Sequence, residues 1–520
     1  MPSNNNIHIS IILFGFSIEA IQSTVDAILQ QSSTTWELML VVDDEKLLGL
    51  YAKNKRVNTY VHRQGVLSNI NLLLDKALGS FIIFLYSGDL LSRHFVDKVT
   101  SFCKTYNSTK LLYVDESNRG EKEELCFKPD WNPDYLYSFN YFSRGVLYSR
   151  ELLLQLDDLP LEIDSFHYAL ALKAIALLKQ SQISHISEVL LCLATTDTRS
   201  NNSDLKLFEK IHQKIHINTP FNIDTGITNN TIRVKFRLAK PEPLVSIIIP
   251  TKDHLELLKV CVDDVLYKTE YKNIEILIID NNSAMPETLA YLKSVKNNPK
   301  IEVIPYKKAF NFSAMMNLGV AKARGEFIAL LNNDISVINK EWLTEMVSQA
   351  NRPEIGCVGA KLFYPDGTIQ HAGVILGLKG YASHAHKGCN ASSSGYFNRL
   401  VVVHNVSAVT AACLVVRKNI FNEVKGFDAK KLKVAYNDVD FCLKVREAGY
   451  RNLFTPYAQL IHHESKSRGK KRSFWQQRQL RAESRFLRKK WGDLLFSDPA
   501  YNKNLTLLRE DFSPKDECEK

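Results

Sequence analysis

Short apolar runs recur along the chain, separated by polar stretches with helical spacing. "ISIILF" from Ile9, "WELMLVV" from Trp36 and "FIIFLY" from Phe81 are three of them. "VSIIIP" from Val245, "IEILIID" from Ile274 and "FIALL" from Phe327 are three more. Continuous apolar runs of this length read as strands buried on both faces. Their alternation with helical patterns predicts βαβ units and a mostly parallel sheet.

The pattern comes twice. Ile9–Glu45 lies beside Val245–Asn282: each has a strand, a helix containing Val-Asp-x-(Ile/Val)-Leu, and a second strand ending in Asp. Val25 pairs with Val262, Asp26 with Asp263 and Asp43 with Asp280. "GSFIIFLYSGD" (Gly79–Asp89) then echoes "GEFIALLNND" (Gly325–Asp334). The expected fold class is α/β, with two tandem Rossmann-like domains and a basic helical C-terminal extension. The expected boundaries are 1–235, 241–470 and 471–520. The break falls in "TIRVKFRLAKPEPLV", where basic residues and two prolines precede the second repeat. Beyond Trp491 the chain is turn-rich, and its charged end is expected to fray. At 520 residues the chain is too long for one core.

Open α/β sheets bind ligands beyond the carboxyl ends of their strands. In the second repeat that rule selects Pro250-Thr251-Lys252-Asp253, Asp280-Asn281-Asn282 and Asn332-Asn333-Asp334. Each cluster alone is also ordinary turn chemistry; three together converge on one cleft. Asp334 offers a hard oxygen ligand for Mg²⁺ or Mn²⁺, and Asn332 could add a carbonyl oxygen. In "YNDVDFCLKVREAGY" (Tyr436–Tyr450) a helix starts near Asn437–Asp438, with Gly449 at its C-terminal end. Acids there serve as helix caps. Asp438 could equally project into the cleft as a general base. After the next apolar strand, His462 and His463 could complete a metal site, contact phosphate or be structural, and Lys466 and Arg468 could bind phosphate. His384 and His386 have no Cys partners at zinc-like spacing, which argues against zinc.

The net charge of +10 sharpens the picture at one place. Eleven basic residues between Lys466 and Lys490 face one acid, Glu483, so this segment carries as much net charge as the whole chain. Such a helix suits an anionic lipid surface, a phosphate-bearing substrate or nucleic acid, or simply packs its aromatic side and solvates the rest. No nucleic-acid recognition motif accompanies it, and no nucleic-acid partner is expected. With 45% hydrophobic and 23% charged residues the composition is that of a globular protein. The N-terminus has no basic then apolar leader pattern, and the apolar runs are too short to span a bilayer. Nine scattered cysteines without a CxxC pair suggest reduced thiols and a cytoplasmic setting.

Seven segments, read in order, carry a family likeness. They are "VSIIIPTKD", "ILIIDNNS", "FNFSAMMNLGVAKARGEFIALLNND", "KLFYPDGTIQHAGV", "NVSAVTAACLVVRK", "GFDAKKLKVAYNDVDFCLKVREAGYR" and "HHESKSRG". From about Leu244 to Leu505 the chain resembles a family 2 glycosyltransferase of the GT-A fold, nearest to bacterial O-antigen or rhamnan-type enzymes. "FKPDWNPDYLYSFNYFSRGVLYSRELL" (Phe127–Leu153) resembles the domain that precedes the catalytic one in larger members. The resemblance implies inverting transfer of a hexosyl or deoxyhexosyl unit from a nucleotide-diphosphate sugar, with Mg²⁺ or Mn²⁺ as cofactor. The acceptor would be a glycan or lipid-linked hydroxyl in cell-surface polysaccharide synthesis. The place would be the cytoplasm or the inner face of the cytoplasmic membrane, with peripheral contact through the basic segment.

By the same resemblance, Asp280 contacts the base, and Pro250, Thr251 and Asp253 line its pocket. Asn317 and Asn333 join the nucleotide-sugar contacts. Asn332-Asn333-Asp334 holds the metal with help from His462, and Asp438 is the catalytic base. Two departures stand out: Asn332 replaces an acid, and Met316 replaces an arginine often found before Asn317. In the first repeat Tyr86-Ser87-Gly88 faces Asn332-Asn333-Asp334, with Asp89 one residue late. His167 faces Asp438, and Ala169 faces Asp440. The first domain is therefore expected to keep the fold and to lack catalysis. A polymerase with two working sites and a non-catalytic nucleotide- or carbohydrate-binding protein are the alternatives.

Overall fold

The computed structural model describes residues 8–47, 49, 51, 53–61, 70–120, 123–157, 159, 164–194, 205–216, 219–464 and 474–519. The first half builds a sheet from β1 (Ile9–Phe14), β2 (Trp36–Val42), β3 (Val57–Val61), β4 (Phe81–Tyr86), β5 (Leu90–Leu91), β6 (Leu111–Asn118), β7 (Glu124–Cys126), β8 (Val146–Ser149) and β9 (Ile183–Leu193). Its order is β3-β2-β1-β4-β8-β6-β9-β5, with β7 on β6. A ribbon of β10 (Phe221–Thr225) and β11 (Ile232–Phe236) leads out of it.

The second sheet holds β12 (Val245–Thr251), β13 (Ile274–Asp280), β14 (Ile301–Pro305), β15 (Phe327–Leu331), β16 (Ile335–Val337), β17 (Ile355–Phe363) and β18 (Ile369–His371). A hairpin of β19 (Val374–Leu376) and β20 (Ala382–His384) follows. Then come β21 (His404–Val406), β22 (Cys413–Arg417) and β23 (Arg451–His462). The order is β14-β13-β12-β15-β22-β17-β23-β16, with β18 on β17 and β21 on β23. Strand for strand this is the order of the first half. In both sheets the first four strands run parallel and the fifth is antiparallel. The molecule is thus a tandem α/β structure with mostly parallel sheets.

One small network shows how deep the repeat goes. Ser10 Oγ donates to Glu37 Oε1 (2.6 Å) and accepts from the Gly79 N–H (2.8 Å). Ser246 Oγ donates to Glu275 Oε1 (2.6 Å) and accepts from the Gly325 N–H (2.8 Å). The glycines are required by contact, because a Cβ on Gly79 would lie 2.4 Å from Ser10 N and one on Gly325 would lie 2.6 Å from Ser246 Oγ. The shared Gly-x-Phe of the two sequence stretches is therefore a packing device at the start of β4 and β15. Both faces of the second sheet are buried: Ile248 packs to one side with Met315, Met316 and Leu330, and Ile247 and Ile249 pack to the other with Trp342 and Met346.

The two halves share a polar seam. Asp134 is buried and pairs with Arg352 (2.5 Å) and Arg451 (3.2 Å) of the second half. Asn132 and Asn405 bond reciprocally, Asn132 Nδ2 to Asn405 O (2.9 Å) and Asn405 N to Asn132 Oδ1 (2.9 Å). Burial alone would raise the Asp134 pKa. Arg352 and Arg451 outweigh it and hold the carboxyl well below the usual carboxylate range.

The C-terminal segment is packed as far as Phe512. Helix Phe474–Trp491 packs Leu487 and Trp491 into the core of the second half. Tyr501, Leu505 and Phe512 are buried against Phe127, Ile375 and Leu378. Asn502 donates to Asp115 of the first half (2.9 Å), so the tail ties the halves together. Apolar side chains spaced among turn residues supply the burial that the turn-rich reading overlooks. Lys466, Arg468, Lys470, Lys471 and Arg472 lie outside the described residues.

Candidate active site

The three selected clusters meet at the carboxyl end of the second sheet. Pro250 and Thr251 end β12, and Thr251 is in register with Asp280 at the end of β13. The loops beyond them turn sharply, with Asp253 (φ 51°) and Asn282 (φ 54°) in the left-handed region that short polar side chains tolerate. Asp253 Oδ1 accepts the N–H groups of Ala284 (2.8 Å) and Met285 (2.9 Å), and Asp280 Oδ1 accepts both the N–H and the hydroxyl of Ser283. The Oδ2 atoms of both acids have no protein partner among the described residues and remain available to a ligand. Asn333 Nδ2 donates to Thr251 Oγ1 (3.2 Å), joining the third cluster to the first. Asn317 sits differently: its amide spans the backbone of Phe427, donating to the carbonyl (2.9 Å) and accepting from the N–H (3.0 Å). Both ends of that side chain are engaged in bracing a loop.

Asp334 is buried at the start of β16, and His462 closes β23 opposite Ile335. His462 Nε2 lies 3.1 Å from Asp334 Oδ1 and 3.3 Å from Asn332 Nδ2. The tautomer of His462 follows from its other contacts. Gln370 Nε2 donates to the Glu464 carboxylate (3.0 Å), so Gln370 Oε1 faces His462 Nδ1 (2.8 Å) as an acceptor. Nδ1 then carries a proton, and Nε2 faces Asp334. A histidine held this way by an outer partner is the arrangement of a metal ligand. Asp334 and His462 supply one carboxylate oxygen and one imidazole nitrogen. No cluster of three or more His, Cys, Asp or Glu residues that could hold a metal occurs among the described residues. Two protein ligands, with substrate phosphate and water completing the shell, suit Mg²⁺ or Mn²⁺.

Asp438 lies in the first turn of helix Asn437–Glu447. Its Oδ1 accepts the Val439 N–H (2.9 Å) and its Oδ2 the Ala411 N–H (3.2 Å). The next acid, Asp440, has another job: Lys490 Nζ (2.6 Å) and Trp491 Nε1 (2.8 Å) of the C-terminal helix both donate to its Oδ1. Glu483 on that helix accepts the N–H groups of Lys433 (3.1 Å) and Ala435 (2.6 Å), fixing the loop that leads to Asp438.

The segment Thr410–Ala412 connects these parts. The Ala412 carbonyl accepts the Asn332 N–H (3.0 Å), the Ala411 N–H reaches Asp438, and the Thr410 N–H reaches His371 Nε2 (3.5 Å). His371 is buried and bonds to His384 through their Nδ1 atoms (2.7 Å). Burial pushes His371 well below the usual imidazole range. Burial also lowers His384, against the opposing pull of Asp438. Gln370, Glu464, His371, His384 and the Thr410–Ala412 backbone were not selected from sequence as one site. "IQHAGV" and "SHAHKG" carried the signal, since each places a histidine beside a short β-run, and the hairpin β19–β20 brings those histidines together.

Residues 246–424 match the family model described as Glycosyl transferase family 2. The chain is 37% identical over 510 residues to the uncharacterised protein y4gI of Sinorhizobium fredii, covering 94% of this chain and 56% of that one. It is 34% identical over 410 residues to the O-antigen biosynthesis protein RfbC of Myxococcus xanthus, covering 75% of this chain and 31% of that one. The chain thus spans about half or less of these relatives. Among solved structures it is similar to a mannosyltransferase from Pyrobaculum calidifontis, at 15% identity and a TM-score of 0.34, covering 57% of this chain and 68% of that one.

Proposed function

Residues 246–424 are a family 2 glycosyltransferase domain, and on that premise we propose that the second half of the chain transfers a sugar from a nucleotide-diphosphate donor to a hydroxyl group, with inversion at the anomeric carbon. The observation that carries this reading is the shared backbone segment Thr410–Ala412. It ties the Asn332–Asp334 turn to Asp438 through consecutive residues, so an acid for proton removal and a carboxylate–imidazole pair for a cation line one cleft.

In this reading the free oxygens of Asp253 and Asp280, with Thr251 and Pro250, hold the nucleotide. Asn333 fixes the turn through Thr251. Asp334 and His462, with Asn332 beside them, hold Mg²⁺ or Mn²⁺, which when bound offsets the charge of the diphosphate. Asn317 acts through the Phe427 loop. Asp438 Oδ2 takes the proton of the attacking hydroxyl, and the Ala411 N–H keeps that carboxylate aimed. Fixing donor and acceptor in one cleft supplies much of the remaining rate.

The likeness to an O-antigen biosynthesis protein supports a glycan or lipid-linked acceptor in cell-surface polysaccharide synthesis. No helix among the described residues is long and apolar enough to cross a membrane. Helix Phe474–Trp491 exposes Phe474, Trp475, Arg478, Arg481 and Arg485 on the side away from Leu487 and Trp491, which suits peripheral contact with an anionic inner membrane face. We assign the first half, residues 1–235, a non-catalytic role, residues 241–470 the catalytic one, and 471–520 a bracing one. Incubating the purified chain with UDP-, GDP- and dTDP-sugars and Mn²⁺ should release the nucleotide diphosphate from at least one donor. A chain that binds nucleotide but never turns it over would favour the binding-protein alternative.

A further inference from the structure

Two histidines in the cleft have no part in the mechanism above, and their hydrogen bonds fix where their protons sit. Histidine accepts at one ring nitrogen and donates at the other when neutral. The Thr410 N–H can only donate, so His371 Nε2 accepts and His371 Nδ1 carries the proton. That proton points at His384 Nδ1, 2.7 Å away, which must accept it. His384 therefore carries its own proton on Nε2. That atom has no protein partner among the described residues, and the residue is half-buried at the end of β20. The rings meet edge to face, 4.9 Å between centroids at 84°, so His384 is held by an edge and cannot easily turn. Thr410 and Ala411 are adjacent, and they fix His371 and Asp438 respectively. The His384 donor and the Asp438 acceptor are thus positioned from one stretch of backbone, and of the charges that act on His384 Asp438 has the largest effect. The hairpin that carries His384 also packs over the start of the Asp438 helix, with Tyr381 5.9 Å from Tyr436.

We propose that His384 is a further catalytic residue, whose Nε2–H donates to the attacking oxygen while Asp438 accepts that oxygen's proton. An attacking hydroxyl has one hydrogen and two lone pairs. Asp438 takes the hydrogen, His384 engages one lone pair, and the other remains for the anomeric carbon. The bond formed is oxygen to carbon, the bond broken is carbon to the diphosphate oxygen, the proton ends on Asp438, and the electron pair leaves with the diphosphate. His384 gains and loses nothing and sets direction only. The inference rests on the glycosyl-transfer reading and adds the group that orients the nucleophile.

Hydrolysis of a nucleotide-sugar panel tests it, with water as the attacking molecule and Mn²⁺ present. His384→Phe should lower kcat about 100-fold, the scale of a misplaced reactant, with the donor KM and the affinity for UDP, GDP or dTDP unchanged. His384→Gln, which restores an N–H donor, should recover part of the loss. His371→Phe, which releases the His384 tautomer, should fall between. A raised donor KM at constant kcat would place His384 on the donor and overturn the proposal, as would unchanged kinetics. ¹⁵N spectra of histidine-labelled protein provide a second readout, and a His384 protonated on Nδ1 would also overturn it. A wild-type chain that turns over no donor sinks the glycosyl-transfer reading and this inference together. An active wild type with an unaffected His384→Phe sinks this inference alone.

Discussion

Asp89 and Asp334 occupy the same place in the two halves. Each immediately precedes the short strand that pairs with the last long strand, β5 with β9 and β16 with β23. Counted from β4 and β15 the first half has one extra residue, so Asp89, not Gly88, is the counterpart of Asp334. What differs is the company. By strand register Ala412 becomes Arg144 and His462 becomes Cys192, and at the second position of the helix Asp438 becomes His167. Arg144 binds Asp89 with two nitrogens, Nε at 3.1 Å and Nη2 at 2.9 Å. A fixed guanidinium supplies the positive charge that a cation would bring to Asp334. Burial, then Arg144, push His167 well below the usual imidazole range, so it stays neutral. The first half keeps the acid and neutralises it internally.

The sharpest way to break this comparison is to exchange the chemistry at the helix start. Asp438→Asn should lower transfer by about 10²–10⁴-fold, the usual worth of a general base. His167→Ala should leave turnover within about twofold if, as proposed, the first half supplies no reacting group. Steady-state nucleotide release on both variants decides. Substantial activity in Asp438→Asn would mean the first half works after all.

The seam comes next in size. Asp134→Asn leaves Arg352 buried without its main counter-charge, and breaking a buried pair in this way costs about 3–5 kcal/mol. Calorimetric unfolding should show the loss, with transfer activity falling in step if the first half exists to support the second. The same group sets an acid limit. Its folded pKa is depressed, so its stabilisation is present above the unfolded value of about 3.9 and is lost as the pH falls below it. A melting temperature that stays flat below about pH 4 would argue that the seam contributes little.

Arg144→Met tests whether the guanidinium is the whole difference. The variant should lose about 3 kcal/mol, the low end for a broken buried pair, because the N–H groups of Tyr86 and Ala194 still hold Asp89. Mn²⁺ should not raise its melting temperature, since Cys192 stands where the second half has His462. A clear rise would reveal a dormant metal site in the first half.

Much of the architecture was legible because it rests on period and repetition. Doubly buried strands read as apolar runs, and the Gly-x-Phe echo marked equivalent strands before any contact was known. Thr251, Asp280, Asp334 and Asp438 could be selected because strand ends and helix starts are visible in sequence. The tautomer-setting partners were not legible. Gln370, Glu464, His371 and His384 are brought together by a hairpin insertion and by the Thr410–Ala412 backbone, whose N–H and C=O groups have no residue-type signature. The sequence pattern puts Asp89 one residue late for a related reason: a one-residue insertion at a turn is set by strand register, which the apolar pattern constrains only to within the turn. Burial of the tail has no sequence signature, because Tyr501, Leu505 and Phe512 are too widely spaced to show a period.

The smallest effect isolates the outer support of the proposed metal pair. Gln370→Leu replaces the amide beside His462 by an apolar side chain of similar size. Asp334 and His462 remain, but His462 Nδ1 loses its acceptor, and the ring is free to carry its proton on Nε2, where it would face any cation. Removing such an outer partner weakens metal binding by about 10–100-fold. Mn²⁺ titration by calorimetry, with and without a nucleoside diphosphate, should show that loss with little change in melting temperature. If Gln370→Leu binds Mn²⁺ like the wild type, His462 is not oriented for a cation. The difference between the two halves then reduces to Asp438 alone.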